Sequence, residues 1–219
     1  MSQATLALLQ SALAEIYDLP AMPDVRDYLM TNRAHLAGFG EGRHSDEQLF
    51  VAEEGDTLSM ALYIDATVLE RLARHDPFED LTHENIADYL TAAEGVSHFV
   101  YLAWNTGHDK PVTLLELELQ AEVDKYVLGA WLLRQQGAGR FPHELHRVLF
   151  ERARVDPVAA DGRVGLYHMA SNYAARFCRR VGELLERRRF GVTRDLMAEL
   201  RRFYRWGNVR KLRHIERYA

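Results

Sequence analysis

A chain of 219 residues that is 47% hydrophobic and 27% charged has the composition of a globular protein with a substantial core, which excludes a disordered or fibrous polymer. It contains no run of the roughly 18 apolar residues that a membrane helix needs, and Met1-Ser-Gln-Ala-Thr lacks the basic start and apolar core of a signal peptide. Cys178 is the single cysteine, which excludes an internal disulfide framework and a multi-cysteine zinc site; the expected compartment is the reducing cytoplasm.

In chain order, apolar residues at Leu6, Leu8, Leu9, Leu13 and Ile16 predict an amphipathic helix from Ser2 to about Tyr17, ended near Pro20. A second, short helix is expected over Val25–Leu36. It runs into the glycines of Gly38-Phe-Gly-Glu-Gly42, which lack the lysine and hydroxyl residue of a phosphate loop and read as a plain loop. Gln48–Glu53 and Thr57–Ile64 are β-rich runs separated by Glu54-Gly55-Asp56, a β-hairpin signal. An isolated hairpin is marginal in water, so this one must pack on helices or pair across a dimer.

Asp65 can cap a helix over Ala66–His75, and Thr82 a longer one to about Trp104. Thr113-Leu-Leu-Glu116 matches a capping box opening a helix to about Gln135, stopped by Gly137 and Gly139. Pro142 begins a shorter helix, another covers about Gly162–Arg189, and Thr193 can cap a final basic helix broken at Gly207. The predicted fold is mainly α: a bundle of six to eight helices with one β-hairpin, at the margin of α+β. The predicted organisation is a helical body over 1–190, with the hairpin at about 48–64, and a basic C-terminal arm over 191–219 packed on the body or on a partner.

The net charge of −5 conceals a division. Residues 174–219 carry fourteen Lys/Arg against five Asp/Glu, whereas residues 1–173 carry thirteen against twenty-seven. In the arm, Arg201, Arg202, Arg205, Arg210, Lys211 and Arg213 interleave with Phe203, Tyr204 and Trp206. That pattern suits nucleic acid, but it equally suits docking on the acidic body, on a partner protein or on a second copy of the chain, and the overall acidity favours docking.

Ionisable residues on predicted core faces carry the other signal. On the helix after Thr82, Ile86, Leu90, Ala93, Ser97, Tyr101 and Trp104 form one stripe, with Glu94 on it and His98 one turn later. On the helix after Thr113, Glu122 sits amid Leu115, Leu119, Tyr126 and Leu133, with Glu118 on the flank. On the helix after Gly162, the stripe of Val164, Ser171, Ala175, Cys178, Gly182 and Leu185 includes His168. A carboxylate in a dry core costs several kcal/mol unless it is paired or metal-bound, and inward carboxylates and histidines are how helical bundles hold metals. Glu94, His98, Glu118, Glu122 and His168 are therefore candidate ligands for iron, manganese or zinc, with Tyr101 or Ser97 orienting a substrate. The alternative is internal pairing with Tyr, Arg or His. The spacing Glu94-x-x-x-His98 departs from the Glu-x-x-His of bundle di-metal proteins, and no His-Glu-x-x-His run occurs. His143 with His146, and His35 with His44, are weaker pairs. Cys178 lies near Arg176, Arg179 and Arg180 but on the apolar stripe, which predicts an inert buried thiol.

Two functions are compatible with this reading. The first is a non-catalytic adaptor or regulator that engages a partner through the hairpin and the basic arm. The second is a metal-dependent hydrolase or oxidoreductase with its centre inside the bundle.

Overall fold

The structure, a computed structural model, describes residues 2–35, 45–55, 57–137, 143–151, 164–187 and 194–217. The chain is mainly α-helical with a small three-stranded sheet. The helices are α1 (Ser2–Tyr17), α2 (Ala66–Arg74), α3 (Ile86–Thr106), α4 (Leu114–Gln135), the single turn α5 (His143–His146), α6 (Val164–Arg187), α7 (Arg194–Arg205) and α8 (Asn208–Glu216). The strands are β1 (Leu29–Met30), β2 (Glu47–Glu54) and β3 (Thr57–Ile64), in the order β1-β3-β2. No helix among the described residues is long and apolar enough to cross a membrane.

The hairpin is antiparallel, with Glu47 opposite Ile64 and Glu54 opposite Thr57, and Gly55 in the turn adopts a φ of +60°, which glycine tolerates without strain. Asp65 caps α2 by accepting from the Thr67 amide at 3.0 Å. Two expectations need correction. The helix predicted over Val25–Leu36 is a 3₁₀ turn at Val25–Tyr28 followed by β1, which pairs in parallel with β3. Gln10 causes this locally: its side chain accepts from the Val25 amide at 2.9 Å and donates to the Pro23 carbonyl at 2.7 Å, pinning an extended chain. Thr82 caps the turn that leads into α3, as expected: its hydroxyl accepts from the Glu84 amide at 3.2 Å, its carbonyl accepts from the Ile86 amide at 3.0 Å, and Asn85 Oδ1 accepts from the Thr82 amide at 2.9 Å, while the Asn85 amide group donates to the carbonyls of His75 and Asp80. Finally, only half of the Thr113 capping box forms. Thr113 accepts from the Glu116 amide at 3.2 Å, but the Glu116 carboxylate is committed to other helices. The loop at 38–42, His44 and the Thr193 cap lie outside the described residues.

The two central helices, α3 and α4, are buried around most of their circumference. The sheet, α1 and α2 pack on α3, and α6 packs on α4. Two neighbouring helices with no solvated face must bury their polar residues between themselves and the surrounding layer, and that requirement creates the chemistry described next. The arm of α7 and α8 docks on the body. Arg201 donates to the carbonyls of Ile16 and Glu15, and Arg205 to that of Asp18, so both arginines bind carbonyls at the C-terminal end of α1. Phe203 stacks on Phe177 at 3.9 Å, and Tyr204 on Tyr17 at 4.0 Å.

Candidate metal centre

Where α3 faces α4 beneath the start of β2, six ionisable side chains meet. Glu94 and His98 stand one turn apart on α3, as the i and i+4 spacing requires, and Glu118, Glu122 and Lys125 come from α4. Glu47 enters from the first position of β2. Glu94, His98 and Glu118 each present a ligand atom, and these atoms all lie within 4.8 Å of one another. A single ion with bonds of about 2.0–2.2 Å would draw these atoms to within about 4.4 Å of one another, a modest closure of the cluster. His98 is 6% exposed and Glu118 7%. The Glu94 side chain, at 30%, opens the cluster to solvent on one side.

The hydrogen bonding of the cluster is uneven. Lys125 Nζ donates to Glu94 at 2.9 Å and to Glu122 at 2.6 Å, so the upper half is an internal ion triad. Glu47 Oε1 lies 3.3 Å from His98 Nδ1. His98 Nε2 is buried without a hydrogen-bond partner and faces Glu118 Oε2 at 3.6 Å. Four carboxylates thus face two cations, Lys125 and a protonated His98, leaving two negative charges in surplus. Burial pushes the carboxyl groups of Glu47 and Glu122 above the ordinary carboxylate range. Burial acts in the same sense on Glu94, but Lys125, aided by His98, outweighs it and holds that carboxylate low. Burial alone would lower the His98 imidazole, yet Glu47 and Glu118 reverse it and raise it well above its usual value.

Among the candidate ligands, the structure brings Glu94, His98 and Glu118 together and keeps Glu122 beside them on Lys125. His168 is elsewhere: it is exposed on the first turns of α6. The buried residues of α6 are Ala170, Ala174, Phe177, Cys178, Val181, Gly182 and Leu185: the stripe keeps Cys178, Gly182 and Leu185 of the predicted one but is turned by about one residue at its start, with Phe177 and Val181 providing the larger apolar surface. Two members of the cluster had no place in the sequence reading. Lys125 was detectable as the i+3 partner of Glu122. Glu47 was not, since only the packing of β2 on α3 reveals it. Of the weaker pairs, His146 Nε2 lies 2.9 Å from the Ala175 carbonyl, while the His143 side chain and His44 lie outside the described residues. Burial pushes the Cys178 thiol up, consistent with an inert core residue.

On the other side of the α3–α4 pair lies a second polar cluster that the stripes did not reveal. Asp124, fully buried, accepts from Ser97 at 2.6 Å, from Gln120 at 2.7 Å and from the Tyr17 hydroxyl. Lys211 of α8, also fully buried, donates to Gln120 at 2.6 Å and to the Tyr101 hydroxyl at 2.8 Å. Tyr101 in turn donates to Glu116, whose other oxygen accepts the Asn208 amide at 2.9 Å and so caps α8, which has no side-chain cap of its own. Burial raises Asp124 to about 6 and lowers Lys211 to about 7. Ser97 and Tyr101, expected to orient a substrate, are committed to this network. Lys211, expected at a partner surface, is its cation. Of the other arm residues, Arg202 pairs with Glu199 and Arg210 lies over Trp206, while Arg213 is exposed.

The chain matches no protein-family model, no curated protein and no solved structure.

Proposed function

We propose that this protein binds one divalent metal ion between α3 and α4, held by Glu94, His98 and Glu118, and that the ion supports hydrolytic or oxidative chemistry. The observation that supports this most is His98 Nε2: a buried imidazole nitrogen with no hydrogen-bond partner, facing the Glu118 carboxylate at 3.6 Å, on a residue that clusters with Glu94 and Glu118. An unmatched buried polar atom is costly unless a ligand supplies the missing interaction. Binding at Nε2 displaces the His98 proton, so a divalent ion replaces one positive charge by two and cuts the surplus from two negative charges to one. One imidazole and two carboxylates form a nitrogen–oxygen set suited to manganese, iron or zinc. Three protein ligands leave coordination positions for water, which a bound metal acidifies and turns into a nucleophile. The partial exposure of Glu94 gives such a site a route to solvent.

Thermal unfolding followed during addition of Mn²⁺ and Zn²⁺ tests this. Stabilisation of the wild type that is lost in His98→Ala and in Glu118→Gln supports the reading. A midpoint unmoved by either ion removes it.

A second reading keeps the chain as a non-catalytic adaptor, and one observation favours it. The eight-residue β2 is a sheet edge with Val51 45% exposed, a form that accepts an added strand from a partner protein or a second copy. The arm contributes less to this reading, because Arg201, Arg205 and Lys211 are spent inside the chain. Sedimentation across a hundredfold range of concentration tests self-assembly, and substitution of Val51 by Lys should abolish any dimer formed through this edge.

A further inference from the structure

Glu47 is the one acidic member of the cluster that comes from the sheet, and the backbone of α3 is shaped to admit it. Gly95 lies between Glu94 and His98 in sequence. A Cβ there would come within 2.7 Å of Glu47 Cγ, 3.0 Å of Leu62 Cδ1 and 3.2 Å of Glu47 Oε1. Glycine in mid-helix costs about 1 kcal/mol relative to alanine, so its presence needs a compensating reason. Here the missing side chain leaves a notch through which the carboxylate of β2 lies flat against α3 and reaches His98. The strand is fixed at that point: Glu47 pairs with Ile64, and the carbonyl of the preceding Asp46 accepts the Asp65 amide at 2.8 Å. The Glu47 side chain is 10% exposed and that of His98 7%, so little water competes for the contact.

The two imidazole nitrogens are therefore assigned different partners. Nδ1 faces Glu47 Oε1 at 3.3 Å, and Nε2 faces Glu118 Oε2 at 3.6 Å without a hydrogen bond. A carboxylate on one ring nitrogen fixes the tautomer and the orientation of the ring and makes the other nitrogen a better ligand. We propose, resting on the metal-binding reading above, that Glu47 is the positioning carboxylate of the centre, completing a Glu47–His98–metal chain, and that Gly95 is the notch that lets the hairpin deliver it. Metal affinity and docking of the hairpin are then linked, although the hairpin supplies no ligand.

Titration with Co²⁺, read by its visible d–d absorption and by calorimetry, tests this on the full chain. Glu47→Ala should weaken Co²⁺ binding about 10–100-fold, the usual effect of removing such a partner. Glu47→Gln keeps an acceptor for Nδ1–H without the charge and should lose less. Gly95→Ala should weaken binding as much as Glu47→Ala, and the double variant should be no weaker than either single one, because both remove the same contact. Glu47→Ala with the Co²⁺ affinity of the wild type would overturn the positioning role while leaving the metal site standing. A wild type that binds no Co²⁺ would overturn both. If Gly95→Ala fails to fold, the two Glu47 variants still decide the matter.

Discussion

The two polar clusters on either side of the α3–α4 pair are built from similar residues and reach opposite states. Around Asp124, each carboxylate oxygen has a donor, and the buried cation Lys211 has two acceptors. Its groups come from α1, α3, α4 and α8, so the network ties the C-terminal arm and the N-terminal helix to the centre. Around His98, four carboxylates meet two cations, one imidazole nitrogen has no hydrogen-bond partner, and one side is open to water. Burial accounts for the raised carboxyl groups in both. What differs is completeness: a closed network holds helices together, whereas an open one with surplus charge is suited to an additional cation.

The sharpest way to break the comparison is to remove an acceptor from the closed network. Asp124→Ala strands Ser97, Tyr17 and Gln120, and should lower the unfolding free energy in urea by about 3–5 kcal/mol, as breaking a buried charged network does.

The pH dependence of stability sharpens it next. Lys211 has a folded-state pKa of about 7 against an ordinary value of 10.5. The unfolded chain therefore holds the extra proton between those values, and stability contributed by this residue rises with pH across that window, by about 2–4 kcal/mol. His98, with its pKa raised by the fold, acts in the opposite sense: the stability it contributes is lost as pH rises through its folded value. Urea unfolding from pH 7 to pH 10 on wild type and Lys211→Met isolates the lysine, and the rise should disappear in the variant.

Metal separates the clusters directly. Free metal at about a hundred times its dissociation constant should add about 2.7 kcal/mol to the wild type, and the same to Lys211→Met, but nothing to His98→Ala. The smallest effect is the most discriminating. Glu118→Gln removes one surplus negative charge from the open cluster, so the metal-free protein should gain about 1 kcal/mol, whereas Asp124→Asn in the closed network should lose stability. Chemical denaturation of the two amide variants side by side reads the contrast.

The helices and the hairpin were largely legible in the sequence because their signals are local: apolar periodicity, Asp65 and Thr113 as caps, and a Gly-containing turn. The Glu94–His98 pair and Glu118 were legible for the same reason, since one helix turn fixes which residues stand together. The stripes failed where they assumed a single buried face. Both α3 and α4 are buried nearly all round, so Asp124 and Gln120 lay outside any stripe yet inside the protein. On α6 a rotation of about one residue was enough to take His168 from the interior to the surface. Glu116 matched the capping box and instead caps a helix 92 residues further on, a partner that no local pattern encodes. Lys211 read as a surface charge for the same reason: its burial depends on where α8 docks. Glu47 reaches His98 across 51 residues of chain through a notch that appears only when sheet and helix are packed.

The open cluster should hold a metal and the closed one should not. Elemental analysis by mass spectrometry, on protein purified without an affinity tag or chelator and after supply of manganese, iron and zinc, tests it most directly. The wild type should carry about one ion of one of these metals per chain, lost in a His98→Ala/Glu118→Gln double variant and retained in Lys211→Met. A wild type that stays free of all three would contradict it, leaving His98 and its four carboxylates as structural ion pairs.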